Sequence, residues 1–290
     1  MTSHRLAHAL PLVLLAGLWL AASACRAPVR AVSYSADADG RGFAFAFADT
    51  TGDAYLRELR RRCRLDSVVA GATTDLERVA ALTHWAHGLW EHSGWNEPAA
   101  YDARSILDEV AAGERFRCVE YAIVIREAAQ ALGMQARCVG LQTADVETRR
   151  WGAGHVVAEV YCREHDRWVF ADGQGDAVAL RNGRPLSAVE LGLALREGPA
   201  EVTLLSGADT LRGEPSAAYL AWVAPYLHFF NTGFDTRPRP TRVPPGPQFD
   251  GHSVLYLVPE GEQGPRVFQR KSPVRAAYTS SLRAFYPSPE

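Results

Sequence analysis

The spacing of apolar residues changes partway along the chain, and the change separates a helical half from a strand half. Leu76, Val79, Ala80, Leu82, Thr83, Ala86 and Leu89 recur at three- and four-residue steps. That period predicts a helix over 75–92, with Thr74 or Asp75 capping its start. Another helix is expected before it, over 53–70, and a short one after it, over 102–112, ending at Gly113. The clearest pattern runs from Cys118 to Leu132. Val119, Ala122, Ile123 and Ile125 lie on its apolar side, Ala129 and Leu132 continue it, and Gly133 stops it. Beyond this point residues 135–142, 155–162 and 167–171 are rich in Val, Tyr, Phe and Trp and read as strands. Turn-forming stretches at 93–98 and 143–154 read as loops. Weaker signals follow: a helix at 186–195, a strand at 201–205, a helix at 216–230, a Pro-rich stretch at 236–248, and strands at 253–258 and 265–269. Helices followed by an antiparallel sheet define an α+β fold.

The N-terminus departs from this plan. Arg5 precedes an almost wholly apolar run, Ala9 to Ala21, and Ala22-Ser23-Ala24 leads into Cys25. A basic start, a short apolar run and an A-x-A site describe a secretory signal peptide over 1–24. The run is shorter than the ~20 residues a membrane span needs. The same site resembles a bacterial lipobox, although Ala22 stands where Leu is usual, so Cys25 is the expected lipidation site. Residues 25–50, rich in small residues, read as a tether. Residues 51–200 are the expected core domain, and 201–290 a C-terminal extension packed on it.

Composition narrows the function more than it defines it. The chain has 290 residues, 47% of them hydrophobic and 22% charged, enough for a packed core. With 31 basic and 33 acidic residues, and no basic stripe with interleaved aromatics, no nucleic-acid partner is expected. Arg60, Arg61 and Arg62 read as a solvated helix face. His84, His87 and His92 read as helix packing, because no carboxylate pattern completes a metal site around them.

Cys118 opens the strongest helix, where unpaired backbone N–H groups and the positive end of the dipole favour an anion. A thiolate there would be a nucleophile, and the same N–H groups could receive an oxyanion. His155 and Asp172 bracket a predicted hairpin. A two-residue turn puts them opposite each other, and a four-residue turn puts Val157 opposite Asp172. Either register leaves His155 and Asp172 on one face, because side chains alternate. A carboxylate on one imidazole nitrogen would leave the other for the nucleophile.

These residues resemble the transglutaminase-like superfamily, from about Trp85 to Asp172. The strongest stretches are Cys118-Val-Glu120-Tyr-Ala122, Leu132-Gly-Met-Gln-Ala136-Arg137, Gly154-His155-Val-Val-Ala-Glu159-Val160 and Trp168-Val-Phe-Ala-Asp172. The resemblance implies a papain/transglutaminase-like core, with Cys118 as nucleophile, His155 as base and Asp172 as orienter. It implies no metal or cofactor, and a peptide or other amide-bearing substrate. By the same resemblance Trp95 is the candidate second oxyanion donor. Three positions depart from the family pattern: Phe116 where Gly is frequent, Val157 where an aromatic is common, and Gly173 where Pro often follows the aspartate. A non-catalytic binding or scaffold protein of the same fold is the alternative reading. The compartment outside the cytoplasm is oxidising, and Cys138 and Cys162, on neighbouring strands, are the pair expected to bridge if any does.

The Cys25 expectation has a direct check. Mass spectrometry of the mature N-terminus is expected to find a lipidated Cys25, and Cys25→Ser is expected to release the protein from membranes or stall its processing. An unmodified Cys25 on a freely soluble protein would exclude the lipid anchor.

Overall fold

The structure, a computed structural model, describes residues 32–289 apart from 208, 212–213, 239–248, 268 and 271–273. The signal peptide and Cys25 lie outside the described residues. Among the described residues five helices come first: α1 (Ala54–Arg62), α2 (Leu65–Val68), α3 (Asp75–His87), α4 (Ala103–Ala111) and α5 (Cys118–Ala131). Strands β1 (Ala136–Gln142), β2 (Gly154–Cys162), β3 (Arg167–Asp172), β4 (Ala177–Arg181) and β5 (Arg184–Pro185) follow. Then come α6 (Ala188–Glu197), β6 (Val202–Ser206), β7 (Asp209–Leu211) and α7 (Glu214–Val223). The chain closes with β8 (Phe229–Gly233), β9 (Val254–Leu257), β10 (Ala276–Thr279) and α8 (Leu282–Phe285). The fold is α+β, as the change of period implied.

All ten strands of the described residues join one sheet, ordered β10-β9-β8-β1-β2-β3-β4-β6-β7 with β5 beside β4. Every pairing is antiparallel except that of β9 with β10. Strand alternation sends Ala136, Ala158, Val160 and Val169 to one face, under the helices α1, α3, α4 and α5. It sends Val139, Leu141, Val157 and Phe170 to the other, under α6, α7 and α8. Helix α5 is central to the first layer and buried nearly all round, beyond the one-sided stripe read from sequence. Two of its buried polar side chains tie it to its neighbours: Glu127 accepts from the Tyr55 hydroxyl at 2.5 Å and from the Ala103 N–H at 2.8 Å. Gln130 donates to the carbonyls of Ala136 and Thr236.

Several boundaries differ from the sequence reading, each for a local reason. The 53–70 helix is broken at Arg64, whose φ of 51° lies in the left-handed region. The 216–230 helix stops at Val223, because Pro225 lies in a 3₁₀ turn and Phe229 begins β8. The described residues of 265–269 are not in a strand; the Glu147 carboxylate accepts the N–H groups of Arg266 and Val267, and the last described strand is instead β10. The expected tether is packed from residue 34 onward. Phe43, Ala44, Phe45, Ala46 and Phe47 alternate, and their rings meet Phe249, Phe234 and Trp168 at 4.9, 5.2 and 6.2 Å. The C-terminal segment adds five strands to the sheet, with β8 directly beside β1.

Cys138 and Cys162 do not bridge; both are free, as are Cys63 and Cys118. The register explains why: Cys138 faces Ala158, four positions along β2 from Cys162, a separation of roughly 13 Å.

One buried pair fastens the C-terminus to the sheet. Arg137 on β1 donates to Glu159 on β2 through Nε and Nη2, at 3.1 and 2.8 Å, and to the carbonyl of Phe285 at 2.7 Å. Its guanidinium also lies 4.5 Å from the Trp168 ring centroid and 4.7 Å from that of Tyr286. The other Glu159 oxygen accepts from the Ala188 N–H and the Tyr286 hydroxyl. Arg137→Ala would leave that carboxylate buried without its counter-charge, so urea unfolding is expected to show a loss of ~3–5 kcal/mol. A loss below ~1 kcal/mol would show the pair to be replaceable by packing alone.

Candidate active site

The hairpin of β2 and β3 closes with the four-residue alternative. Cys162 pairs with Arg167, and the intervening Arg163–His165 forms a 3₁₀ turn with Asp166 at a φ of 50°. Continuing that register sets Val157 across from Asp172, so His155 lies diagonal to Asp172 on the same face. The hairpin tip is tied to the helical layer: Glu164 accepts the N–H groups of Asp75 and Leu76 at the start of α3, at 2.8 and 2.9 Å. His155 and Asp172 therefore stand at one end of their strands, fixed relative to α3.

The two side chains meet there. His155 Nε2 lies 2.8 Å from Asp172 Oδ2, and both residues are buried. The same Oδ2 accepts from the Tyr219 hydroxyl at 2.6 Å, while Oδ1 accepts from the N–H groups of Gln174 and Gly175, at 2.9 and 3.3 Å. Four donors converge on one carboxylate. Burial raises the Asp172 carboxyl, but the charge and hydrogen bond of His155, with the donors beside it, outweigh burial and hold it below its ordinary value. Burial opposes charge on His155 too. The Asp172 charge and hydrogen bond, with smaller contributions from Cys118, reverse that and raise the imidazole to about 10.

Cys118 adjoins His155 from the first residue of α5. With Nε2 occupied by Asp172, Nδ1 is the nitrogen left to the thiol. The cap of α5 is unlike its neighbours. Thr74 and Ser187 cap α3 and α6 through their side-chain oxygens, whereas Arg117 before Cys118 makes no side-chain cap. Arginine has no acceptor to offer. Glu120 turns back to the Arg117 N–H at 3.0 Å and to its guanidinium at 2.8 Å, which leaves the first-turn N–H groups of α5 without a side-chain cap.

Each departure from the family pattern has a packing reason. Phe116 is buried edge-on to Trp90, and its carbonyl anchors the loop after α3 by accepting from the Ser93 N–H and the Trp90 indole. Val157 belongs to the core under α6 and α7. At Gly173 an added Cβ would lie 2.9 Å from Ile125 Cδ1 and 3.0 Å from Tyr121 Cβ, so proline has no room.

The other singled-out residues take different places. Trp95 is 82% exposed, its ring 5.9 Å from that of Trp151, which is 74% exposed. It stands in solvent here, so as an oxyanion donor it would have to turn inward. His84 and His87 hold the turn after Asp172: His87 Nδ1 donates to the Gly173 carbonyl at 3.1 Å, and His84 Nδ1 lies 2.7 Å from Asp176 Oδ2. His92 is lowered by burial and then by the charge of His155, which places a second imidazole near the site. Sequence reasoning missed Tyr219 and Trp222, whose ring lies 5.0 Å from that of His155, because Tyr219 is 47 residues from Asp172 and α7 carries no signature. Arg60, Arg61 and Arg62 each pair with a carboxylate on the helical surface.

Residues 64–173 match the family model of the transglutaminase-like superfamily core, to which that segment is similar. Two solved structures are similar in part. A candidate cysteine protease from Cytophaga hutchinsonii is 15% identical, covering 43% of this chain and 40% of that one, with a TM-score of 0.34. A TGase is 18% identical, covering 42% of this chain and 32% of that one, with a TM-score of 0.30. The chain thus spans less than half the length of either neighbour. Comparison with curated proteins returned no match.

The raised His155 makes stability depend on pH in a defined direction. The unfolded imidazole titrates near 6.5 and the folded one at about 10. The interaction with Asp172 therefore stabilises the fold fully below the lower value and is lost as pH rises through the upper one. The urea midpoint of the wild type is expected to exceed that of His155→Gln clearly at about pH 6 and to converge on it at about pH 10.5. A gap independent of pH would show that His155 is not held as a cation.

Proposed function

We propose that the protein is a cysteine-dependent acyl-transfer enzyme that hydrolyses an amide or peptide bond. The observation that carries this reading is the pairing of His155 Nε2 with the buried Asp172, which leaves Nδ1 beside Cys118 on a helix start lacking a side-chain cap. The Cys118 sulfur attacks the carbonyl carbon, and the oxyanion forms against the first-turn N–H groups of α5. The C–N bond then breaks, and the leaving amine takes the proton from His155. Water next attacks the thioester; His155 accepts its proton, and the acid leaves as the Cys118 sulfur is restored. Asp172 holds the ring and stabilises its charged form throughout, without itself becoming protonated. Trp95 would add a donor to the oxyanion once a substrate draws its indole inward.

The N-terminal pattern supports a place outside the cytoplasm, with the lipid on Cys25 anchoring the protein to a membrane. Water is the abundant acyl acceptor there, which favours hydrolysis over cross-linking.

Thiol reactivity tests the nucleophile without knowledge of the substrate. Burial raises the Cys63, Cys138 and Cys162 thiols, so all three are expected to react slowly. Limited iodoacetamide treatment and peptide mapping should therefore find label first at Cys118, and His155→Ala should slow that labelling below pH 7 by about tenfold or more. Faster labelling of Cys63, with Cys118 also refractory to a smaller thiol reagent, would remove Cys118 from the role.

A further inference from the structure

We propose that Tyr219, contributed by α7 from outside the transglutaminase-like segment, is a positioning residue whose hydroxyl governs how strongly Asp172 holds the His155 proton. The inference rests on Cys118 and His155 acting as the reactive pair. Its basis is the sharing of one oxygen: Asp172 Oδ2 accepts from Tyr219 at 2.6 Å and from His155 Nε2 at 2.8 Å. A carboxylate ion can only accept, so the phenol must be the donor. Hydrogen bonding to the charged carboxylate stabilises it without His155, and so weakens its demand for the imidazolium proton.

The surroundings are shaped for this contact. A Cβ at Gly175 would fall 2.2 Å from Tyr219 Cε2, so the turn can pass beneath the ring only because residue 175 is glycine. That turn supplies the two backbone N–H groups on Oδ1, while His87 and His84 grip its two ends. The Tyr219 ring lies 5.8 Å from that of Trp222, which in turn stands edge-on to His155 at 5.0 Å. One helix thus orients the carboxylate and walls the imidazole. Burial, then the Asp172 charge, pushes the Tyr219 phenol well above its ordinary range, so it remains a donor wherever His155 titrates.

Other titratable groups face the pair. Cys118 and Tyr121 come from α5, His92 from the loop after α3, and Tyr226 from the turn after α7, its ring 6.0 Å from that of His155. Burial and the Asp172 charge raise Tyr121, whose hydroxyl is engaged by the Trp90 carbonyl. Replacing Tyr219 alters none of these partners.

Alkylation of Cys118 by iodoacetate reads the effect, because the reagent's carboxylate is attracted while His155 is a cation and the rate falls when that charge is lost. In Tyr219→Phe the alkaline limb of the rate–pH profile should move up by about half a pH unit, a threefold rise in proton affinity. Site-specific 3-fluorotyrosine at 219, a stronger donor of nearly the same size, should move it down. A purely structural role for the ring predicts no movement in either protein, and an unmoved limb overturns the proposal. Should Tyr219→Phe fail to fold, the fluorotyrosine protein alone decides between a downward shift and none. If wild-type Cys118 escapes iodoacetate altogether, the reading of the nucleophile falls and this inference with it; a labelled Cys118 with unmoved limbs removes only the role of Tyr219.

Discussion

A carboxylate taken out of water must replace its solvation with donors, or it takes up a proton instead. Asp172 replaces that solvation with four donors from three places in the chain: an imidazole on β2, two N–H groups of its own following turn, and a phenol on α7. Much of the local architecture answers to that requirement. Gly173 admits the turn against α5, Gly175 admits the Tyr219 ring, and two histidines of α3 hold the turn in place. Loss of any one donor would leave a buried charge less well satisfied, so these residues form one unit rather than a list of contacts.

The site lies where the two faces of the sheet meet at a strand end. Cys118 belongs to the layer of α1, α3, α4 and α5, whereas His155 and Asp172 point to the face covered by α6 and α7. Neither layer contains the whole constellation. The hairpin tip joined to α3 through Glu164, and Arg137 with Glu159 beneath the C-terminal segment, hold the strands against both layers. Cys118 and His155, drawn from opposite faces, stay in register only if the sheet between them does not shift.

The matched segment accounts for less of this than its motifs suggest. It carries Cys118, His155 and Asp172, but the ring that walls the imidazole and the phenol that shares Asp172 Oδ2 come from beyond residue 173. The strands after residue 201 are likewise part of the same sheet. In this protein the C-terminal third is built into the site.

What was legible in the amino-acid sequence was local. The period of the apolar residues marked α3, α5 and the first three strands, because burial on one face leaves a trace every three to four, or every two, positions. Alternation alone placed His155 and Asp172 on one face, and the same helical period put Cys118 at the start of α5. What the tertiary structure decided was everything that depends on residues far apart. The four-residue hairpin turn chose the diagonal register, and β1–β2 pairing kept Cys138 away from Cys162. Solvent exposure separated Trp95 from the buried part of the site, and the packing of α7 brought Tyr219 to Asp172 across 47 residues. A hydrogen bond between distant side chains leaves no periodic mark, because either partner is an ordinary residue until the fold brings the two within 3 Å.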